Sequence, residues 1–146
     1  MDELRLLPVP EHADLTQLYL SAGLEIAEGW TAICNPVYSV AARLGDRILG
    51  AATVSRRFDR LVLDYLAVEP SAQGLGLGKK LTKRCLDYAR EAGETALWIA
   101  AKKPAFYLHL EAEETEDTAL LEDCRRCPEY GNSCQPKELV FYLKEE

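Results

Sequence analysis

Apolar positions recur along this 146-residue chain with two periods, one of strands and one of helices. Leu4 to Val9 is a short apolar run that predicts a first strand. Pro10 suits the opening turn of a helix, where its missing N–H is not needed. Leu15, Leu18, Tyr19 and Ala22 then share one face at helical spacing, and Gly23 is a C-terminal stop. Gly29 to Pro36 reads as a loop. Tyr38 to Leu44 predicts a strand, Gly45-Asp46 a tight turn, and Ile48 to Arg56 the returning partner. Phe58-Asp59-Arg60 is the next turn. Leu61 to Val68 is a third long strand, in which period two sets Val62, Asp64, Leu66 and Val68 on one face.

After the glycine-rich piece Gln73 to Gly78 the period changes. Leu77, Leu81, Cys85, Tyr88, Ala89 and Ala92 form one helical stripe, ended by Gly93. Ala96 to Ala100 predicts a short strand and Pro104 to Leu110 a short helix. Glu113 to Leu121 reads as another strand, and Leu139 to Leu143 as the last. Strands and helices in this order indicate a mixed α/β (α+β) domain with a largely antiparallel first half. The length suits one domain over 1–146, with a Cys-containing insert at about 122–137.

Composition narrows the function classes. Hydrophobic residues make up 48% and charged residues 28%, the profile of a soluble globular protein. No uncharged apolar run approaches the ~20 residues that cross a bilayer. The start Met1-Asp2-Glu3-Leu4-Arg5 lacks the features of a secretory signal, so a cytoplasmic location is expected. The net charge of −7 disfavours nucleic acid and anionic membrane as partners. It suits a cationic acceptor such as an amine, although net charge speaks to solubility before specificity.

The glycine-rich turn is the most specific signal. The strand end Leu66-Ala67-Val68-Glu69-Pro70 leads into Gln73-Gly74-Leu75-Gly76-Leu77-Gly78-Lys79-Lys80. Glycines at alternate positions between a strand and a helix let main-chain N–H groups approach a phosphate or pyrophosphate. The P-loop form requires a hydroxyl after Gly-Lys, which Gly78-Lys79-Lys80 lacks. The dinucleotide form requires another glycine spacing and follows a first strand.

The strand Leu61 to Val68, Glu69-Pro70, the Gln-x-x-Gly-x-Gly signature of Gln73, Gly76 and Gly78, and the following helix resemble the GNAT superfamily of N-acetyltransferases. The order of elements resembles it over nearly the whole chain. The resemblance implies a mixed, mostly antiparallel sheet flanked by helices, with acetyl-CoA in the splay between the fourth and fifth strands. It implies acetyl transfer to a primary amine by direct attack, with acetyl-CoA as cosubstrate and no metal required for the chemistry. The pyrophosphate would sit on the N–H groups of Gln73, Gly74, Leu75, Gly76, Leu77, Gly78 and Lys79. The pantetheine arm would pair with Leu66, Ala67 and Val68. The Val68 N–H would polarise the thioester oxygen. Tyr107, in Ala105-Phe106-Tyr107, would protonate the leaving sulfur. The acceptor is a small-molecule or peptide amine, and families of this kind commonly form homodimers. The chain departs from the family at Glu111-Ala112, where Gly-Phe is common, and in lacking the asparagine often found before the short helix.

Other candidates come from residue type. Asp64 is polar within an apolar strand and is a candidate base for the amine, with an ion pair to Arg56 or Arg60 as the structural alternative. Trp30, Tyr38 and Phe58 are candidates to line the acceptor pocket, with core packing as the default. His12 and His109 read as surface or helix-face residues. Cys124, Cys127 and Cys134 are weak metal candidates, because three thiolates leave a tetrahedral zinc site incomplete. They also suit a redox-sensitive pair or reduced packing thiols. A second function class follows, a non-catalytic acyl-CoA-binding or sensing module with a redox- or metal-responsive Cys segment. Cys34 and Cys85 read as small core residues.

Overall fold

The computed structural model describes residues 4–22, 35–57, 60–101, 104–115 and 137–143. Strand β1 is Leu4–Pro8, and a 3-10 turn over His12–Leu15 leads into helix α1, Thr16–Ser21. Strands β2 (Pro36–Leu44), β3 (Arg47–Arg57) and β4 (Arg60–Val68) follow. A 3-10 turn at Pro70–Ala72 precedes helix α2 (Leu77–Glu91), then β5 (Ala96–Ala101), helix α3 (Pro104–His109), β6 (Glu113–Glu114) and β7 (Lys137–Tyr142). Seven strands among the described residues form one sheet in the order β1-β2-β3-β4-β5-β7-β6. Its paired neighbours are antiparallel except β4 and β5, which run parallel. This is the mixed, mostly antiparallel sheet that the sequence predicts.

Both faces are packed. Leu77, Leu81, Cys85 and Ala89 of α2 are buried against Val40, Ala42, Ala52, Val54, Leu61 and Leu63. These are four of the six stripe positions. Tyr88 is half-buried in the same cluster, and Ala92 is exposed. Full burial of each of the two leucines contributes about 2 kcal/mol, which outweighs any intrinsic preference of the helix. The opposite face carries the 3-10 turn and α1, whose Leu15 and Tyr19 pack on Ala41, Ala51 and Ala67. The small alanines on that face let the short helix lie close to the sheet.

Three expectations change. β2 starts at Pro36, not Tyr38. The strand expected over Glu113 to Leu121 covers Glu113–Glu114, and residues 116–121 lie outside the described set. The third difference concerns the faces of β4. Thr53 pairs with Tyr65 and Val54 with Leu63, so Asp64 is the extra residue of a β-bulge. The bulge shifts the alternation by one. Leu61 and Leu63 join Leu66 and Val68 on the α2 face, while Val62 and Asp64 leave that set. Period two predicts one uninterrupted face, and an unpaired residue breaks that count.

Candidate active site

The glycine-rich turn joins the end of β4 to α2. Gly76 caps the helix in the left-handed region, φ 74° and ψ 17°. Gly74 is left-handed too, with φ 91°. A residue with Cβ is strained there, which explains the residue type. A Cβ built on either glycine meets nothing within 4 Å, so the space over both is open. Gly78 differs. A Cβ at Gly78 comes 3.1 Å from the Phe106 ring, so this glycine admits α3 against the first turn of α2. Of the three glycines, two shape the turn and one spaces the helices.

Among the described residues no main-chain acceptor engages the amides of Gly74 or Gly76. The earliest bond of the helix is Lys80 N–H to Gly76 O, 3.2 Å, which leaves the amides of its first turn without an intrahelical acceptor. A run of main-chain donors therefore converges at a helix N-terminus, where the dipole favours negative charge. Lys79 and Lys80 are exposed beside it, and Leu77 turns its side chain into the core.

The edge of β4 continues this donor surface. Glu69 N–H donates to Leu49 O in β3, 2.8 Å. Main-chain groups alternate between the two edges of a strand, so Ala67 faces β3 and Leu66 and Val68 face the β5 side. β4 and β5 are registered at one position, Val62 with Trp98. Past that pair the parallel strands share no further registered partner, and the gap is bordered by the main chain of Leu66 and Val68. Of the three residues assigned to a pantetheine arm, Leu66 and Val68 thus offer polar groups to the gap and Ala67 does not. The Gln73 amide makes a long contact, 3.4 Å, to Val68 O and ties the turn to the strand.

The joint is braced from outside. Arg47 Nη2 lies 2.8 Å from both carboxylate oxygens of Glu69, and Ser71 Oγ donates to Glu69 at 3.0 Å. Hydrogen bonds from Arg47 and then Ser71 hold the Glu69 carboxyl below its ordinary value. The sequence pattern does not single out Arg47. No spacing rule links residues 22 apart.

Tyr107 lies in α3, its ring edge-on to Phe106 at 5.0 Å and to Phe141 at 6.4 Å. Burial, followed by the nearby Cys85 thiol, pushes its phenol well above the ordinary value. The hydroxyl is therefore protonated throughout the neutral range. Asp64, at the bulge, pairs with Arg57 at 3.2 Å. Of the two arginines expected beside it, Arg56 pairs with Glu94 at 2.8 Å and Arg60 with Glu138 at 3.7 Å. Arg60 also lies over the Trp98 ring, 4.1 Å from its centroid.

The remaining candidates separate. Tyr38 stacks on Tyr88 with centroids 4.4 Å apart and takes part in the packing between β2 and α2. His109 is exposed at the end of α3. His12 is bonded to Ser39. Cys85 is fully buried, as a small core residue should be. Trp30, Phe58, Cys34, Cys124, Cys127 and Cys134 lie outside the described residues. Among the described residues no three His, Cys, Asp or Glu side chains are grouped to hold a metal ion. No helix among them is long and apolar enough to cross a membrane.

Residues 6–111 match the family model described as Acetyltransferase (GNAT) family. No curated protein matches the chain significantly. Among solved structures, an acetyltransferase from Bacillus subtilis in complex with CoA superposes with a TM-score of 0.75 at 18% identity, over 97% of this chain and 100% of that one. The N-acetylglutamate synthase from Neisseria gonorrhoeae, complexed with coenzyme A and N-acetyl-glutamate, gives 0.72 at 17% identity. That match covers 99% of this chain and 36% of the synthase, so the chain spans about a third of its length. The ribosomal-protein-S18-alanine N-acetyltransferase from Escherichia coli gives 0.72 at 17% identity, over 99% and 96%. At these identities the likeness is one of fold.

Proposed function

The chain belongs to the GNAT family of acetyltransferases, and we propose that it moves the acetyl group of acetyl-CoA to a primary amine by direct attack on the thioester. One observation carries this reading. The unengaged amides of the glycine turn run on into the strand edge at Leu66 and Val68, beside the gap between β4 and β5. A pyrophosphate at the turn and an extended arm along that edge fit this arrangement. The Bacillus neighbour was crystallised with CoA, and the two enzymes from Neisseria and Escherichia act on amines, in line with an amine acceptor.

In this reading Gln73, Gly74, Leu75, Gly76, Leu77, Gly78 and Lys79 form the diphosphate cradle. Leu66 and Val68 pair with the pantetheine amides, and Ala67 holds the strand to β3. The Val68 N–H donates to the thioester oxygen as negative charge builds there. Asp64, held by its ion pair with Arg57, is the candidate base that takes a proton from the acceptor amine. Tyr107 returns a proton to the departing sulfur, so coenzyme A leaves as the thiol.

The test is release of free thiol from acetyl-CoA in a panel of amines: small primary amines, polyamines, amino acids and peptides with free N-termini. Thiol release that depends on one class of amine, with the N-acetyl product confirmed by mass, is the expected result. Tight binding of acetyl-CoA with no acetylation of any amine overturns the reading in favour of a binding module.

A further inference from the structure

We propose that Arg60, laid over Trp98 and paired with Glu138, is a positioning residue that holds the two halves of the acetyl-transfer site at one distance. This rests on the amine-acetylation reading above. The sheet divides at the gap. β4, with β1 to β3 beside it, carries the Val68 N–H and leads into the glycine turn, while β5, β7 and β6 lie across the gap. Tyr107 belongs to the second half, since α3 follows β5 and the phenol ring is edge-on to Phe141 of β7, 6.4 Å away. The donor to the thioester oxygen and the acid for the sulfur therefore stand on opposite sides of a division. Main-chain pairing crosses that division at one registered position, Val62 with Trp98.

Arg60 spans the same division with its side chain. It lies two residues before Val62 on β4, on the side of the registered pair away from Leu66 and Val68. Its guanidinium is 4.1 Å from the centroid of the Trp98 ring on β5. Its Nη1 is 3.7 Å from Glu138 Oε2 on β7. Trp98 is itself registered with Val62 on one flank and Val140 on the other. One side chain thus reaches from β4 over β5 to β7 at the closed end of the gap. The α2 core covers both halves on the other face of the sheet, where Leu61 and Leu63 are buried with Leu97, Ile99 and Leu139. The Arg60 contacts tie the face that this core does not reach.

Glu138 separates this arrangement from ordinary packing. Its neighbours Leu139 and Val140 are fully buried, and the Glu138 side chain is 0% exposed. An apolar residue would fill the position without the cost of desolvating a carboxylate, and a buried ion pair adds little net stability over such a residue. The pair supplies direction instead. It is satisfied in one arrangement of β4 against β7 and weakens when the strands shift, whereas apolar contacts tolerate sliding. The cation over the indole behaves alike, since its attraction falls once the guanidinium leaves the ring face. Small shifts matter here, because a misplacement of about 1 Å between reacting groups costs on the order of 100-fold in rate. Affinity and rate also separate. The proposed diphosphate and pantetheine contacts all lie on the β4 side, at the glycine turn and at Leu66 and Val68, and the Tyr107 acid lies across the gap.

Two substitutions test this. Arg60→Met keeps the stem and removes the cation. Glu138→Gln keeps the shape, removes the charge and serves if Arg60→Met does not fold. Each is expected to lower kcat about tenfold by misplacing the acid, while the calorimetric Kd for acetyl-CoA stays within about threefold at full stoichiometry. A loss of folded protein would lower the stoichiometry instead. In the protein without coenzyme, hydrogen exchange of the β5 amides should accelerate at least about tenfold in both variants, with β2 and β3 unaltered. Exchange in β5 that ignores both substitutions overturns the proposal. Faster exchange with unaltered kcat overturns the part of Arg60 in aligning the reaction, and so does a loss of acetyl-CoA affinity as large as the loss of rate. An unaltered protein that acetylates no amine overturns the reaction itself, and β5 exchange still decides whether Arg60 holds the two halves together.

Discussion

Tyr107 shows how much one position can be read in advance. Its place in a short apolar helix after β5 is visible in the chain, and the resemblance implies its role. The chain does not show that its ring is edge-on to Phe106 and Phe141 or that burial keeps its phenol neutral. Those contacts make a clean test. Tyr107→Phe keeps the ring and its packing, so the melting temperature and acetyl-CoA affinity should stay close to those of the unaltered protein. Turnover should fall on the order of 100-fold, the usual contribution of a positioned acid. Stopped-flow or steady-state thiol release measures the rate and calorimetry measures binding. Equal rates would remove Tyr107 from the chemistry. Asp64 illustrates the opposite case. Its polar side chain in an apolar strand is conspicuous, yet it pairs with Arg57, which the strand pattern does not single out, because the bulge changes which residues lie together.

At the scale of elements, the signals that succeed are local. The α2 stripe follows from residues three and four apart, and each of β1 to β4 is bounded by a turn or a proline. The bulge at Asp64 is invisible because an extra residue in one strand has meaning only against its partner in β3. The glycines of the turn look alike in the chain, and the structure separates them, which yields contrasting expectations. Gly74→Ala and Gly76→Ala place a Cβ in open space at positive φ, so each should cost about 1 kcal/mol of stability and leave the fold intact. Each should also weaken acetyl-CoA at least tenfold, since the open space over them is where the diphosphate would lie. Gly78→Val forces its side chain into the Phe106 ring and should cost more stability than either, with the loss of affinity following from displacement of α3. Calorimetric binding beside thermal melts distinguishes the two patterns. Alanine variants at Gly74 and Gly76 that bind acetyl-CoA normally would remove the diphosphate from the turn.

For the molecule as a whole, the two packed faces hide several ionisable groups in their neutral forms, and this sets the response to alkali. Burial pushes up the Cys85 thiol and the phenols of Tyr19, Tyr38 and Tyr107. None of this was legible in the chain beyond the guess that Cys85 is a core residue, since burial is a sum over contacts from distant segments. The buried hydrogen bonds of Thr53 to Tyr19 and Ser39, and of Ser39 to His12, were hidden for the same reason, since they join residues 14 to 34 apart. The sign follows from proton counting. Cys85, Tyr19 and Tyr107 stay protonated in the native state, while the unfolded chain loses the thiol proton from about pH 8.5 and the phenol protons from about pH 10. Above those values the native state binds more protons than the unfolded one, so stability falls as pH rises. Through the neutral range these groups contribute no slope. Past pH 10 each fully buried group should steepen the decline by roughly 1 kcal/mol per pH unit. Urea unfolding at pH 7, 9 and 10.5 measures the trend. Cys85→Ala should move the onset of the decline from the thiol range toward the phenol range. An onset that stays in place in that variant would show that Cys85 does not carry the first part of the alkaline transition.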